Sequence, residues 1–94
     1  MEIELRERGN KGFAIAHVNN KRAGLMSYSV PAGDHIIINH TEVNEEYKGQ
    51  GIGKKLLYKI VAMAREKDLK IIPLCPFANA MFKKLEDIKD VLKA

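Results

Sequence analysis

The chain has 94 residues, of which 46% are hydrophobic and 30% are charged, and these values fit one folded domain and argue against a disordered chain. Sixteen Lys and Arg residues against twelve Asp and Glu residues give a net charge of +4, which favours anionic partners without choosing among phosphorylated small molecules, nucleic acid and acidic membrane. A single cysteine excludes an internal disulfide and a cysteine-based metal site.

The first part of the chain is predicted to form antiparallel strands separated by tight turns. Polar and apolar residues alternate over residues 2–6, as in a half-buried strand. Further strands are predicted over residues 13–18 and 23–30. Turns are predicted at residues 9–12 and 19–21, the second of which contains two Asn residues that tolerate positive φ.

The strongest strand signal lies at residues 35–43. Three consecutive isoleucines there predict burial on both faces and a central place in the sheet. Apolar residues at helical spacing then predict an amphipathic helix from about Gly51 to Asp68. A short strand is expected to follow at residues 70–74.

Two prolines mark the junction between the last predicted strand and the last predicted helix. Pro73 cannot donate to a strand ladder, and Pro76 suits the first turn of a helix, here continued over residues 77–85. Residues 88–92 fit either a last helical turn or a strand. The predicted fold class is α+β: a mostly antiparallel twisted sheet, a central strand–loop–helix–strand unit and a short C-terminal helix, in one domain over residues 1–94.

The loop between the strand at residues 35–43 and the amphipathic helix carries the clearest functional signal. Its three glycines are Gly49, Gly51 and Gly53. They allow close approach to the backbone, and the helix that follows presents unpaired amide groups and a partial positive charge. A phosphate or pyrophosphate is the natural occupant, with Lys48 and Lys54 nearby. A flexible connection without a ligand is the alternative, and the spacing fits neither the phosphate loop of nucleotide triphosphatases nor the dinucleotide fingerprint.

Other classes of function have less support in the sequence. The three histidines (His17, His35 and His40) lack the spacing of zinc motifs, so no metal is expected. Few aromatic residues and scattered charges argue against a nucleic-acid partner. The charged first residues do not resemble a signal peptide and no apolar stretch is long enough for a bilayer, so a cytoplasmic protein without a membrane partner is expected.

The glycine loop also resembles a known signature. Lys48-x-x-Gly51-x-Gly53 resembles the Arg/Gln-x-x-Gly-x-Gly/Ala motif of the GNAT superfamily of N-acetyltransferases, with Lys in the first position. Residues 41–57, followed by Pro-Leu-Cys-Pro-Phe at residues 73–77, resemble its small, single-domain YjdJ-like branch, and the match covers residues 40–82. The resemblance implies a minimal GNAT-like fold and transfer of an acetyl group from acetyl-coenzyme A (acetyl-CoA) to a primary amine of a small molecule or protein.

The resemblance also implies where acetyl-CoA, the cosubstrate, would bind. In the superfamily the loop amides hold the pyrophosphate, the preceding strand lends backbone groups to the pantetheine arm, and the next strand splays away to leave a slot for the thioester. Because the pyrophosphate contacts are mostly to backbone amides, Lys in the first signature position should be tolerated. The expected cofactor-binding residues are Thr41, Val43, Lys48, Gly49, Gln50, Gly51, Ile52, Gly53, Lys54 and Asn79.

Cys75 is a candidate catalytic residue because it stands between a strand and the first turn of a helix, where a thiolate is favoured. It would act either as a nucleophile that accepts acetyl as a thioester or as an acid that protonates the departing thiolate of coenzyme A. A small buried structural residue is the alternative. Asn79, one helical turn later, would bind cofactor or orient the thiol, or else cap or pack.

Glu42 and His40 are candidate bases. Strand alternation places both on one face. Glu42 lies near the strand end beside the expected thioester slot, whereas His40 belongs to the residue type most often used as a base at neutral pH. A solvated charge at a strand end is the alternative for Glu42.

The short connection between the first two strands bears on the acceptor. Family members usually place helices there, but this chain has only residues 9–12, so the acceptor site is expected to be shallow and open. A protein acceptor, a homodimer that completes the site, or weak activity on many amines would each fit. A non-catalytic acyl-CoA sensor or interaction module is the second hypothesis, and a small basic nucleic-acid-binding domain is the third.

Overall fold

The computed structural model describes residues 1–93, which form one five-stranded sheet with two helices packed on one of its faces. The strands are β1 (Glu2–Arg8), β2 (Lys11–Val18), β3 (Lys21–Ala32), β4 (His35–Val43) and β5 (Lys70–Pro73). The helices are α1 (Ile52–Lys67) and α2 (Pro76–Lys84), and 3-10 turns span Glu45–Tyr47 and Glu86–Val91. Strands β1 to β4 are antiparallel neighbours, and β5 runs parallel to β4. The predicted α+β class is confirmed.

Tight turns connect the first three strands. Gly9 adopts the left-handed conformation, with φ of 63°, in the two-residue turn between β1 and β2. Asn19 and Asn20, with φ of 51° and 66°, form the turn between β2 and β3. A two-residue turn of this kind needs positive φ at both positions, and Asn tolerates it. The predicted turns are therefore in place, and the strands extend further toward them than the alternation indicated.

The core fills the space between the sheet and the helices. Inward-facing strand residues meet the apolar stripe of α1 that the sequence predicted. The largest fully buried side chains are Tyr28, Phe82, Met26, Ile36, Ile38, Leu56, Leu57, Ile60, Ile71, Ile88 and Val61. Helix α1 begins and ends within one residue of the predicted bounds, and no helix within residues 1–93 has the length and hydropathy needed to cross a membrane.

The isoleucine run of β4 is not buried on both faces, and that prediction is wrong. Ile36 and Ile38 are fully buried against the helices, whereas Ile37 is half-buried on the opposite face. Strand β4 is fourth of five in the sheet, and within residues 1–93 no helix covers the face to which Ile37 points. We call this side the open face of the sheet.

Residues 86–92 contain both of the structures expected there, a helical turn and a strand-like pairing. Residues Glu86–Val91 form a 3-10 helix, and Leu92 then makes a parallel bridge to Ile71 of β5. Arg65 of α1 holds this segment through a two-pronged contact, with its Nε and Nη2 atoms 3.0 and 2.7 Å from the carboxylate of Asp90.

Candidate functional site

Strands β4 and β5 separate at the end of their paired region. The last pair in the register joins Ile38 and Pro73. The amides of Leu74 and Cys75 both donate to the carbonyl of Ile38, at 3.1 and 3.0 Å, and the chain then enters α2. Because Pro73 lacks an amide donor and Pro76 starts a helix, β5 cannot follow β4 further. Strand β4 continues to Val43 beside an open gap.

The backbone of β4 faces this gap at two positions. The amide of Asn44 donates to the carbonyl of Ala23 in β3, at 2.7 Å. Hydrogen bonding alternates along an antiparallel pair, so Glu42 also bonds toward β3 while Thr41 and Val43 turn their N–H and C=O groups toward the gap. These two residues therefore offer a strand edge to an extended ligand.

The glycine loop has the backbone geometry of an anion-binding turn. Gly49 and Gly51 have φ of 84° and 74°, a left-handed conformation that costs other residues more than glycine. Gly51 caps α1 without a side-chain hydrogen bond, and the first intrahelical bond runs from the amide of Lys55 to the carbonyl of Gly51. The amides of residues 52–54 therefore have no intrahelical acceptor and carry the positive end of the helix dipole.

A groove of about 340 Å³ lies on this loop. Its lining residues are Val43, Tyr47, Lys48, Gly49, Gly51, Ile52, Gly53, Lys54, Phe77 and Met81. A Cβ atom on Gly53 would lie 2.6 Å from the ring of Phe77, so a glycine lets this ring form the groove wall. Lys48 is 3.2 Å from Glu45, and Lys54 lies 5.9 Å from the centre of the Tyr58 ring. Free amides beside lysine side chains are the donors that a pyrophosphate accepts.

Cys75 lies on the helix side of the gap and is 4% exposed. It is the residue that precedes α2, yet its sulfur makes no hydrogen bond to the helix start. The Sγ atom instead lies 3.2 Å from Oγ1 of Thr41, and either atom can be the donor. The contact joins the end of β5 to the free part of β4 at the mouth of the gap.

His40 and Glu42 lie together on the open face, with Nε2 and Oε2 3.6 Å apart and both side chains more than 60% exposed. The register of β4 against β3 shifts between Ile38 and His40, so His40 and Glu42 point to the face opposite that of Ile36 and Ile38. Thr41 points the other way. The two candidate bases and Cys75 are therefore on opposite sides of the sheet, and the gap between β4 and β5 connects the two sides.

Two side chains of α2 line the groove without having been predicted from the sequence. They are Phe77 and Met81, whose spacing of four residues places them on one face of a helix. This spacing is the signal that identifies them once α2 is assigned. Asn79 lies outside the groove lining, and its amide donates to the carbonyl of Pro73 at 3.4 Å.

The open face carries two adjoining clefts of about 220 and 450 Å³. Both are lined by Arg22 and Leu25, and Glu42 lies in the smaller cleft. The larger includes Phe13, which is 37% exposed. Among residues 1–93, β1 and β2 are joined by a two-residue turn and no helix packs on this face, so the side chains of Glu42 and His40 are exposed.

Known proteins resemble this chain in sequence and in fold. Residues 12–91 match the family of GCN5-related N-acetyl-transferases. A GCN5-like protein from Staphylococcus aureus, solved by NMR in solution, is 37% identical, with a TM-score of 0.72 over 97% of this chain and 88% of that one. Among curated proteins, no sequence matches significantly.

More distant solved structures share the fold at lower identity. The ribosomal-protein-S18-alanine N-acetyltransferase of Escherichia coli is 16% identical, with a TM-score of 0.71 over 85% of this chain and 54% of that one. A GNAT family acetyltransferase from Elizabethkingia anophelis with acetyl-CoA bound is 20% identical, with a TM-score of 0.65 over 80% and 52%. This chain thus spans about half the length of these two enzymes.

Proposed function

The chain belongs to the family of GCN5-related N-acetyltransferases, and on this premise we propose that it transfers acetyl from acetyl-CoA to a primary amine of a small molecule or protein. Membership of the family makes it an acetyl-CoA-dependent acetyltransferase. The amine acceptor and the role of each residue are the proposal. The observation that carries it is the succession of three features: Val43 lines the groove on the glycine loop, the free edge of β4 runs from Val43 to Thr41, and Thr41 contacts Cys75.

In this proposal the glycine loop and the edge of β4 bind different parts of the cosubstrate. The amides of residues 49–54, with the charges of Lys48 and Lys54, hold the pyrophosphate. Thr41 and Val43 bond the pantetheine arm as an added strand would. A backbone N–H near Val43 polarises the thioester carbonyl. The side-chain amide of Asn79 donates one N–H to the carbonyl of Pro73, and its second N–H and its oxygen can bond to the cofactor.

Cys75 takes part in one of two ways. As a nucleophile, its sulfur bonds to the acetyl carbon, the bond from that carbon to the sulfur of coenzyme A breaks, and the Cys75 proton passes to the departing sulfur. The acceptor amine then attacks the same carbon, the bond to the Cys75 sulfur breaks, and a proton from the amine restores the thiol. As an acid, it gives its proton to the coenzyme A thiolate while the amine attacks acetyl-CoA directly. Thr41 supports either role, because its hydroxyl can donate to or accept from the thiol.

The acceptor approaches from the open face in this proposal. Glu42 takes the proton from its ammonium group, directly or through water, with His40 as the second candidate base. The clefts beside Glu42 are shallow and unenclosed, which favours an amine presented on a larger molecule. The location proposed is the cytoplasm, since an enzyme that consumes acetyl-CoA must work where this thioester is supplied. Residues 1–94 are proposed to act as one minimal domain.

The first experiment is an amide NMR titration of the isotope-labelled protein with acetyl-CoA, followed by intact mass measurement. We expect shifts concentrated at residues 41–43 and 48–53, and an added acetyl group on Cys75 if the covalent route operates. Absence of any shift at millimolar acetyl-CoA would contradict the binding site.

A second measurement separates the role of Cys75 from that of the site. We expect Cys75→Ala to lower amine-dependent release of coenzyme A while retaining the NMR shifts. An unchanged rate would remove Cys75 from the mechanism without affecting the enzyme assignment. Binding without turnover on a broad panel of amines would instead favour an acyl-CoA sensor, a role that the uncovered sheet face also suits.

A further inference from the structure

Strand β1 is an edge of the sheet, and within residues 1–93 its outer side pairs with no other strand. The two-residue turn makes Arg8 and Lys11 a hydrogen-bonded pair across the hairpin. Because bonding alternates along the strand, Ile3, Leu5 and Glu7 direct their backbone N–H and C=O groups outward. This edge is a template for a further antiparallel strand.

The side chains of β1 on the open face have an ordered pattern of charge. Two acids come first and two bases follow: Glu2, Glu4, Arg6 and Arg8. The sign of the charge on this face changes at Leu5, so a two-fold axis through Leu5 places Glu2 and Glu4 of one strand opposite the two arginines of the other. Charged side chains on an edge strand usually discourage further strand pairing. Here the charges are self-complementary.

We propose that β1 pairs with β1 of a second copy of this chain, antiparallel and centred on Leu5, so that two five-stranded sheets become one continuous sheet. The outward backbone groups form about six hydrogen bonds, two for each of three facing pairs. Shifting the register by two residues would place Glu4 or Arg6 opposite itself, so the charges select the register centred on Leu5.

The charged pairs between the two β1 strands lie at positions where facing side chains are closest together. Glu4 would face Arg6 of the partner subunit, and Glu2 would face Arg8 of the partner subunit, at positions without backbone bonds between them. Arg6 is mostly exposed, as is Arg8, so both can reach across. The carboxylate of Glu4 already contacts Arg6 of its own chain at 3.2 Å and His17 at 2.8 Å, and would then lie between two guanidinium groups.

The helix side of β1 also favours a second copy. A groove of about 350 Å³ runs between β1 and α1, and Leu5, Ala62 and Met63 are its apolar members. The two-fold axis brings the two Leu5 residues side by side, so the two grooves join and their apolar walls are removed from water. This interface is a C2 contact of one surface with itself, and it does not depend on the proposed activity.

The test is sedimentation velocity of the whole protein at low salt, over concentrations up to the millimolar range. We expect a species of about twice the 10.6 kDa chain mass, and we expect its affinity of association to fall as salt is raised. Glu4→Arg and Arg6→Glu should each give a monomer, because like charges then face each other. The double variant Glu4→Arg/Arg6→Glu should restore the dimer. Lys83→Glu, on α2 at the other end of the sheet, is the charge-matched control and should remain dimeric.

A mixing experiment makes the result independent of folding defects. Glu2→Arg/Glu4→Arg and Arg6→Glu/Arg8→Glu should each be monomeric with a folded circular dichroism spectrum, and should form a heterodimer when combined. A monomeric wild type at millimolar concentration, single variants that stay dimeric, or a mixture that stays monomeric would each overturn the proposal.

Discussion

At the scale of single residues, Gly24 illustrates how closely the glycine loop is packed on the sheet. A Cβ atom at this position would lie 2.9 Å from Cγ2 of Ile52 and 3.1 Å from the backbone carbonyl of Glu42. The carbonyl belongs to β4 and cannot move without disturbing the strand. Strand β3 therefore needs a residue without a side chain where it supports the start of α1.

We expect Gly24→Ala to lower the free energy of unfolding by about 1–3 kcal/mol, the usual cost of an extra methyl group in a filled space. The measurement is urea unfolding followed by circular dichroism. Gly33→Ala is the matched control, because no atom lies within 4 Å of its Cβ position and its φ is not left-handed. Equal unfolding free energies for the two variants would contradict this account of the packing.

At the scale of elements, the C-terminal segment depends on ionised carboxylates. Tyr58 donates to both carboxylate oxygens of Asp87, at 2.9 and 2.8 Å, and Arg65 contacts the carbonyl of Asp87 as well as the Asp90 carboxylate. The hydrogen bond from Arg65 holds the pKa of Asp90 below its ordinary value. The residues Glu86–Val91 are thus held to α1 by these charged contacts at the surface, in addition to the buried side chains of Ile88 and Val91.

The contact between Arg65 and Asp90 should make the folded chain less stable as the pH falls. Because the pKa of Asp90 is lower in the folded chain, its contribution is present above the unfolded value of about 3.9 and is lost as pH falls through the folded value. We expect Asp90→Asn to be less stable than wild type at pH 7 and to lose less stability on acidification to about pH 3. The check is urea unfolding across this range. Glu66→Gln, which breaks no ion pair among residues 1–93, should follow the wild-type curve in shape.

At the scale of the whole molecule, the sheet separates two kinds of chemistry. The groove, Thr41 and Cys75 lie on the helix side, whereas Glu42 and His40 lie on the open face. A thioester placed in the gap between β4 and β5 would be within reach of both. Binding of the cosubstrate and activation of the acceptor should therefore respond to different substitutions.

We expect Glu42→Gln to lower amine acetylation by about 10²-fold, at the lower end of what a general base contributes, with unchanged affinity for acetyl-CoA. The measurements are steady-state kinetics and calorimetric titration. His40→Gln should lower the rate only if His40 accepts the proton in place of Glu42. Glu66→Gln serves again as the control. Full activity in both Glu42→Gln and His40→Gln would exclude a base on the open face.

Much of the fold was predictable because local patterns specify it. The alternation of β1, the Asn turn before β3 and the apolar stripe of α1 each depend on neighbouring residues alone. The same holds for the glycine loop, where positive φ at Gly49 and Gly51 matches the residue type. The resemblance to N-acetyltransferases rested on these contiguous residues, and the family match confirms it. The YjdJ-like branch and the individual site roles stay predictions.

The sequence by itself determined the strand order of the antiparallel meander, the helix after the glycine loop and the family, since these are encoded over short stretches of chain. Only the tertiary structure decided which face of β4 is covered, and hence that Ile37 is half-buried. It also decided that Cys75 contacts Thr41 across 34 positions of sequence, on the side of the sheet opposite Glu42 and His40. Such contacts depend on how separate elements pack, and no local pattern specifies the side of a sheet on which a distant residue will lie.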